Sequence, residues 1–201
     1  MKTSIIIILF FIAGIFVGHY RLIPEYFLQN DMSVYALYLL LFLVGLSVGM
    51  DKKSFEIIRR SSLRLLLVPL GVVLGSLLGS AMVSVFVKRL SLTDALAVGS
   101  GFGYYSLSSI LIEELKSKSL GAVALLSNII RELTTLIFTP IFVKYFGPLA
   151  SIASGGATAM DTTLPIITEY SGKEYALVAV FSGLTLTLIV PFLVSLFCYL
   201  G

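Results

Sequence analysis

Apolar residues in this chain run together in unbroken blocks, roughly 4–18, 33–50, 63–87, 92–111, 119–146, 148–168 and 175–200. A helix that crosses a bilayer needs about 20 apolar residues, so the pattern predicts an all-α, polytopic helical membrane protein with about seven spans. A β-barrel is excluded, because its strands alternate in and out over about ten residues and these runs do not. The first run follows Lys2 and ends at Val17-Gly18-His19 without a small-x-small cleavage site, so it reads as a retained span and not as a signal peptide.

Two of the runs are interrupted by polar and small residues. The fourth reads Gly99-Ser100-Gly101-Phe102-Gly103-Tyr104-Tyr105-Ser106-Leu107-Ser108-Ser109. The sixth reads Ser154-Gly155-Gly156-Ala157-Thr158-Ala159-Met160-Asp161-Thr162-Thr163-Leu164-Pro165. Such clusters weaken a helix and leave backbone groups that lipid cannot satisfy. They predict broken or re-entrant segments lining a transport site; continuous helices with small packing residues are the alternative. Glycines elsewhere repeat every four residues, at Gly14 and Gly18, Gly45 and Gly49, and Gly71, Gly75 and Gly79, a spacing that lets helix backbones approach or a second copy dock. The segments Phe11–Gly18 and Phe42–Gly49 also resemble each other. A second repeat, offset by 51 residues, matches Leu133-Thr134 with Leu184-Thr185, Pro140 with Pro191 and Val143 with Val194. It suggests a broken segment plus a proline-bearing span, used twice in one orientation. The chain is accordingly read as a single transmembrane transporter domain, 1–201, with packing helices over 1–87 and the site-bearing units over 92–201.

Composition sharpens the class. Apolar residues make up 58% and charged residues 12% of 201, against about 45–50% and 25% in soluble domains. Soluble enzymes and nucleic-acid binders are excluded. The basic residues fall at the ends of the runs. If all seven cross, Lys2, Lys52, Lys53, Arg59, Arg60, Arg64, Lys116, Lys118 and Lys173 share one side, and Arg21, Lys88, Arg89 and Lys144 the other. Positive charge marks the cytoplasmic side, which places the chain in the cytoplasmic membrane with its N-terminus inside and its C-terminus outside. The lone Cys198 reads as a core residue, and no His/Cys cluster, phosphate loop or nucleophile elbow points to a metal, a cofactor or an enzyme.

Three ionisable residues stand inside runs: Arg131 and Glu132 in the fifth and Asp161 in the sixth. Each costs about 2.5–3.5 kcal/mol to insert, so each is a functional candidate. Asn128, Arg131, Glu132 and Thr135 form one polar stripe at helical spacing, which must face a cavity or the broken segments. Adjacent Arg131 and Glu132 point about 100° apart and pair poorly. Arg131 is then expected to hold Asp161 or a substrate carboxylate; an architectural Arg–Asp bridge is the alternative. Buried carboxylates can carry protons or bind a cation.

These residues resemble the lysine exporters of the LysO type found in bacteria and archaea. The resemblance covers nearly the whole chain and is carried by Leu40-Leu41-Phe42-Leu43-Val44-Gly45, Ser100–Ser108, Asn128-Ile129-Ile130-Arg131-Glu132-Leu133 and Gly156–Pro165. It implies export of L-lysine and of its toxic analogue thialysine, with Glu132 and Asp161 needed for export. Longer members carry a further N-terminal block of helices, so a homodimer or a small companion membrane subunit is the expected partner here. The physical logic agrees: two amines and one carboxylate on the substrate call for two buried carboxylates and an anion site. The expected substrate and proton site comprises Asp161, Glu132, Arg131, Asn128, Thr162, Thr158, Gly101, Gly103, Tyr104, Ser106 and Ser108. Proton antiport is the expected driving reaction. The alternatives are a proton-coupled antiporter of another cation such as Na⁺, or a non-transporting scaffold subunit.

Overall fold

The computed structural model describes residues 65–87 and 90–201, with positions 9, 12–14, 16–20 and 46 of the N-terminal third. Most of the first two apolar runs, their mutual resemblance and the basic residues from Lys2 to Arg64 lie outside the described residues. The chain forms α1 (Leu67–Phe86), α2 (Leu92–Gly99), α3 (Tyr105–Leu115), α4 (Lys118–Phe146), α5 (Pro148–Gly155), α6 (Leu164–Ser171) and α7 (Ala176–Leu200). The helix starts are written locally. Ser91 Oγ accepts the Asp94 N–H at 3.0 Å and Ser117 Oγ the Leu120 N–H at 3.2 Å, which satisfies donors that the first turn leaves free. Pro148 and Pro165 open α5 and α6, where a missing N–H costs nothing.

Three described stretches are long and apolar enough to cross a membrane: Leu67–Phe86, Lys118–Phe146 and Lys173–Leu200. The fourth and sixth runs behave differently. Helices α2 and α3 have 8 and 11 residues, and α5 and α6 have 8 each. At 1.5 Å per residue these lengths reach only about 12–17 Å, roughly half a bilayer. In both runs the second helix turns back beside the first. Lys116, after α3, reaches Asp94, at the start of α2, at 3.5 Å. Likewise Ser171, at the end of α6, meets Ser151 at 2.7 Å and donates to the Pro148 carbonyl at 3.1 Å. Both runs are therefore helical hairpins that return to the end where they begin. We call them the first hairpin (α2–α3) and the second hairpin (α5–α6).

The hairpins enter from opposite ends and meet at their tips, where the Ala157 N–H donates to the Phe102 carbonyl at 2.8 Å. Helix α4 leads from the base of the first to the base of the second, and α7 leads back, so that Gly201 lies against Thr93 and Lys116. Each hairpin is followed by a proline-bearing long helix, Pro140 in α4 and Pro191 in α7. This matches the 51-residue repeat, but the two units run in opposite directions and not in one orientation. The reason is geometric: a hairpin returns the chain to its starting end, so one hairpin plus one span makes a single crossing and inverts the next unit.

The same fact moves the charges. Lys116 and Lys118 join the end that carries Gly201, and Lys144 joins the opposite end.

Packing follows the hairpins. Around the second hairpin Ile152, Leu164 and Ile167 pack with Ala176 and Ala179 of α7. Around the first, Ala97, Phe102 and Ile112 pack with Leu186, Val190 and Val194 further along the same helix. Outward-facing Phe86, Leu188 and Phe192 remain exposed, as expected of a surface that meets lipid tails.

Candidate functional site

The tips meet because glycine allows it. Gly156 has φ 63, and a Cβ there would collide with the Phe102 carbonyl. Gly103 has φ 99, and its N–H donates to Asn128 Oδ1 at 2.7 Å. Phe102, fully buried at the first tip, also sits in the left-handed region with φ 45, a conformation that costs a non-glycine residue about 1–3 kcal/mol and collects at functional sites. Beyond Gly156 the second tip continues as a 3-10 turn, Gly156–Met160, and then the Asp161–Thr163 turn that opens α6.

Helix α4 touches both tips with the polar stripe. Asn128 is buried and fully engaged, since its Nδ2 donates to the Ala124 carbonyl at 2.9 Å and to Ser108 Oγ at 3.3 Å. It holds the first tip. Arg131 does the same for the second. Its Nε donates to the Ser154 carbonyl at 2.8 Å, Nη2 to the Ala153 carbonyl at 2.9 Å, and Nη1 to Ser76 Oγ of α1 at 2.8 Å. These carbonyls are among the last of α5, whose C-terminal end carries partial negative charge. The expected Arg131–Asp161 pairing is therefore corrected. The guanidinium caps a half-helix, because the unsatisfied carbonyls of α5 lie on its side of α4. Thr135 adds a contact, Oγ1 to Ser154 Oγ at 2.7 Å.

Glu132, next in sequence, points to the other flank. There it meets the Thr162 side chain and lies within electrostatic range of Asp161. Asp161 Oδ1 accepts the Thr162 N–H at 2.6 Å, with Thr162 Oγ1 at 3.4 Å. The Tyr105 side chain feels both carboxylates. Two acids, one hydroxyl and one phenol thus gather where the hairpins meet, all half-buried. A shared hydroxyl between two carboxylates can relay a proton, and two carboxylates together can hold a cation.

The remaining expected residues divide by what their side chains already do. Thr158 Oγ1 donates to the Gly155 carbonyl at 2.9 Å, and Ser108 Oγ to the Tyr104 carbonyl at 2.8 Å, so both brace the tips. Gly101 packs directly against Asn128 and Ser108. Tyr104 packs with the apolar residues around Phe102, and Ser106 is exposed in the first turn of α3. Sequence reasoning missed Tyr105 and Ser76. For Tyr105 the missing information was the register of the break, since α3 begins at Tyr105 and leaves Tyr104 outside it. No signal singled out Ser76 among the serines of α1. Among the described residues no group of three or more His, Cys, Asp and Glu could hold a metal ion.

Opposed hairpins with polar tips, unwound backbone between them and acids beside it are features also found in membrane proteins built from inverted repeats. The family profile described as Lysine exporter LysO matches residues 8–198, and the chain belongs to that family. The Lysine exporter LysO of Escherichia coli (strain K12) is 36% identical over 176 residues, covering 85% of this chain and 57% of its own length. A protein of Haemophilus influenzae (strain ATCC 51907 / DSM 11121 / KW20 / Rd), provisionally named a lysine exporter, is 32% identical over 168 residues, covering 84% of this chain and 85% of its own. The chain thus spans little more than half the length of the first of these relatives. No solved structure matches it.

Proposed function

We propose that this chain exports L-lysine, and with it thialysine, across the cytoplasmic membrane in exchange for protons. The observation that carries the reading is the meeting of Glu132 and Asp161 over Thr162 at the hairpin tips. A lysine ammonium gains several kcal/mol from a carboxylate at low effective dielectric, and the same carboxylate can hold a proton instead. Lysine and protons then compete for one acid pair, which is the requirement for antiport. The relatives' names supply the substrate, and the inverted repeat supplies the means of facing each side in turn.

Glu132→Gln and Asp161→Asn keep shape and most hydrogen-bonding capacity but remove the charge and the exchangeable proton. Each is expected to abolish thialysine resistance in cells while membrane abundance stays at the parent level. Normal resistance at normal abundance for either variant removes that residue from the mechanism. Inside-out vesicles separate the coupling ions: radiolabelled lysine uptake should require a pH gradient, whereas dependence on Na⁺ would assign the pair to a different cation.

A further inference from the structure

Arg131 has a second face. The guanidinium carries five N–H groups, and its three bonds to Ser76, Ala153 and Ser154 leave two unspent. Arg131 and Ser76 close the inner end of a cavity of about 860 Å³ between α1, α2 and α4, whose outer end holds Asp94 and Lys116 at the base of the first hairpin. The cavity is lined along α4 from Ser119 to Arg131, about 18 Å of helix. Neither Glu132 nor Asp161 lines it, so it is a site apart from the acid pair.

Its chemistry favours one end of an amino acid. Two cations and one anion line it, a net charge of +1 among the described residues, and the inner end is wholly cationic. The outer pair is loosely made: Asp94 Oδ1 is buried, has no hydrogen-bond partner, and reaches only Lys116 at 3.5 Å. A lipid-facing groove would not place a half-buried arginine and a row of serines along its wall, because polar groups at that depth are expensive unless a polar occupant meets them. Arginine with two spare N–H groups matches a carboxylate in charge and in fork geometry.

We propose that this cavity binds the carboxylate end of the transported amino acid at Arg131. The inference rests on the reading of the chain as a lysine exporter and extends it to a second, carboxylate-reading site.

The test uses the full chain in proteoliposomes. Cys198 is replaced by alanine, and Ser127, which lines the cavity on α4, by cysteine; Leu126→Cys, exposed outside it, is the control. The rate of labelling by a charged, membrane-impermeant thiol reagent is read with L-lysine, norleucine or cadaverine present. Norleucine keeps the α-carboxylate and lacks the side-chain amine, whereas cadaverine keeps two amines and lacks the carboxylate. Lysine and norleucine should slow labelling at position 127 at least threefold and cadaverine should not, with position 126 indifferent to all three. Equal protection by cadaverine, or no protection by any of them in vesicles that export lysine, overturns the proposal and leaves the exporter reading intact. Protection by norleucine in vesicles that do not export lysine upholds the carboxylate site and overturns the exporter reading. No protection and no export overturns both.

Discussion

The two hairpins have one architecture and two kinds of fastening. The first is pinned at its tip by a neutral amide, Asn128, and closed at its base by the partly exposed ion pair Asp94–Lys116. The second is clasped at its tip by a half-buried cation, Arg131, and closed at its base by hydroxyls, Ser151 and Ser171, on the Pro148 carbonyl. Charge sits at the base of one and at the tip of the other. Exposed ion pairs are worth about 0–1 kcal/mol and are screened by salt, whereas bonds from a half-buried guanidinium are each worth about 1.5–3 kcal/mol. The second hairpin is thus the more firmly fastened of the two. That asymmetry suits a cavity that lies against the first hairpin and not the second.

Substitutions can break this contrast at four depths. The largest effect is expected for Arg131→Met, which leaves two α5 carbonyls and Ser76 without their charged donor and should cost on the order of 4 kcal/mol. It should appear as a large fall in melting temperature in detergent. Gly156→Ala comes next, at about 3 kcal/mol or more, since a left-handed alanine is strained and its methyl meets the Phe102 carbonyl. Its signature would be loss of amide-exchange protection at Ala157. Asn128→Ala strands the buried Gly103 N–H and should cost about 1–3 kcal/mol, with protection lost at Gly103 while the second tip keeps its own. The smallest change is expected for Ser171→Ala, about 1 kcal/mol, seen in melting as a shift of a few degrees and insensitive to salt. If Asn128→Ala proves as damaging as Arg131→Met, the two tips are equally fixed and the comparison fails.

Much of this was legible in the chain. The clusters at 99–109 and 154–165 marked both breaks, and the stripe from Asn128 to Thr135 marked the helix face that meets them. Glu132 and Asp161 stood out because charge inside an apolar run is costly. The choice between a broken crossing and a turn-back was not legible, because some 20 apolar residues make one crossing or two half-depth helices with the same hydropathy. What distinguishes them is a contact between bases, Asp94 with Lys116 or Ser151 with Ser171, and each of those residues alone looks like an ordinary loop edge. The direction of the repeat followed the same error, since parity depends on whether a run returns. Arg131 was recognised as important, but of its two expected partners Asp161 is replaced by backbone carbonyls at the end of a half-helix, which leave no mark in sequence.

The bond between the tips also has a consequence for synthesis. The Phe102 carbonyl receives its donor from Ala157, 55 residues later in the chain, and the Gly103 N–H waits for Asn128, 25 residues later. At about 5–20 residues per second a ribosome needs roughly 3–11 s to make the longer interval. During that time the first hairpin carries amide groups that hydrocarbon would leave unpaired at several kcal/mol each. It cannot rest at its final depth on emergence, so its burial is a late event in biogenesis, drawn inward only when the second hairpin arrives from the opposite face.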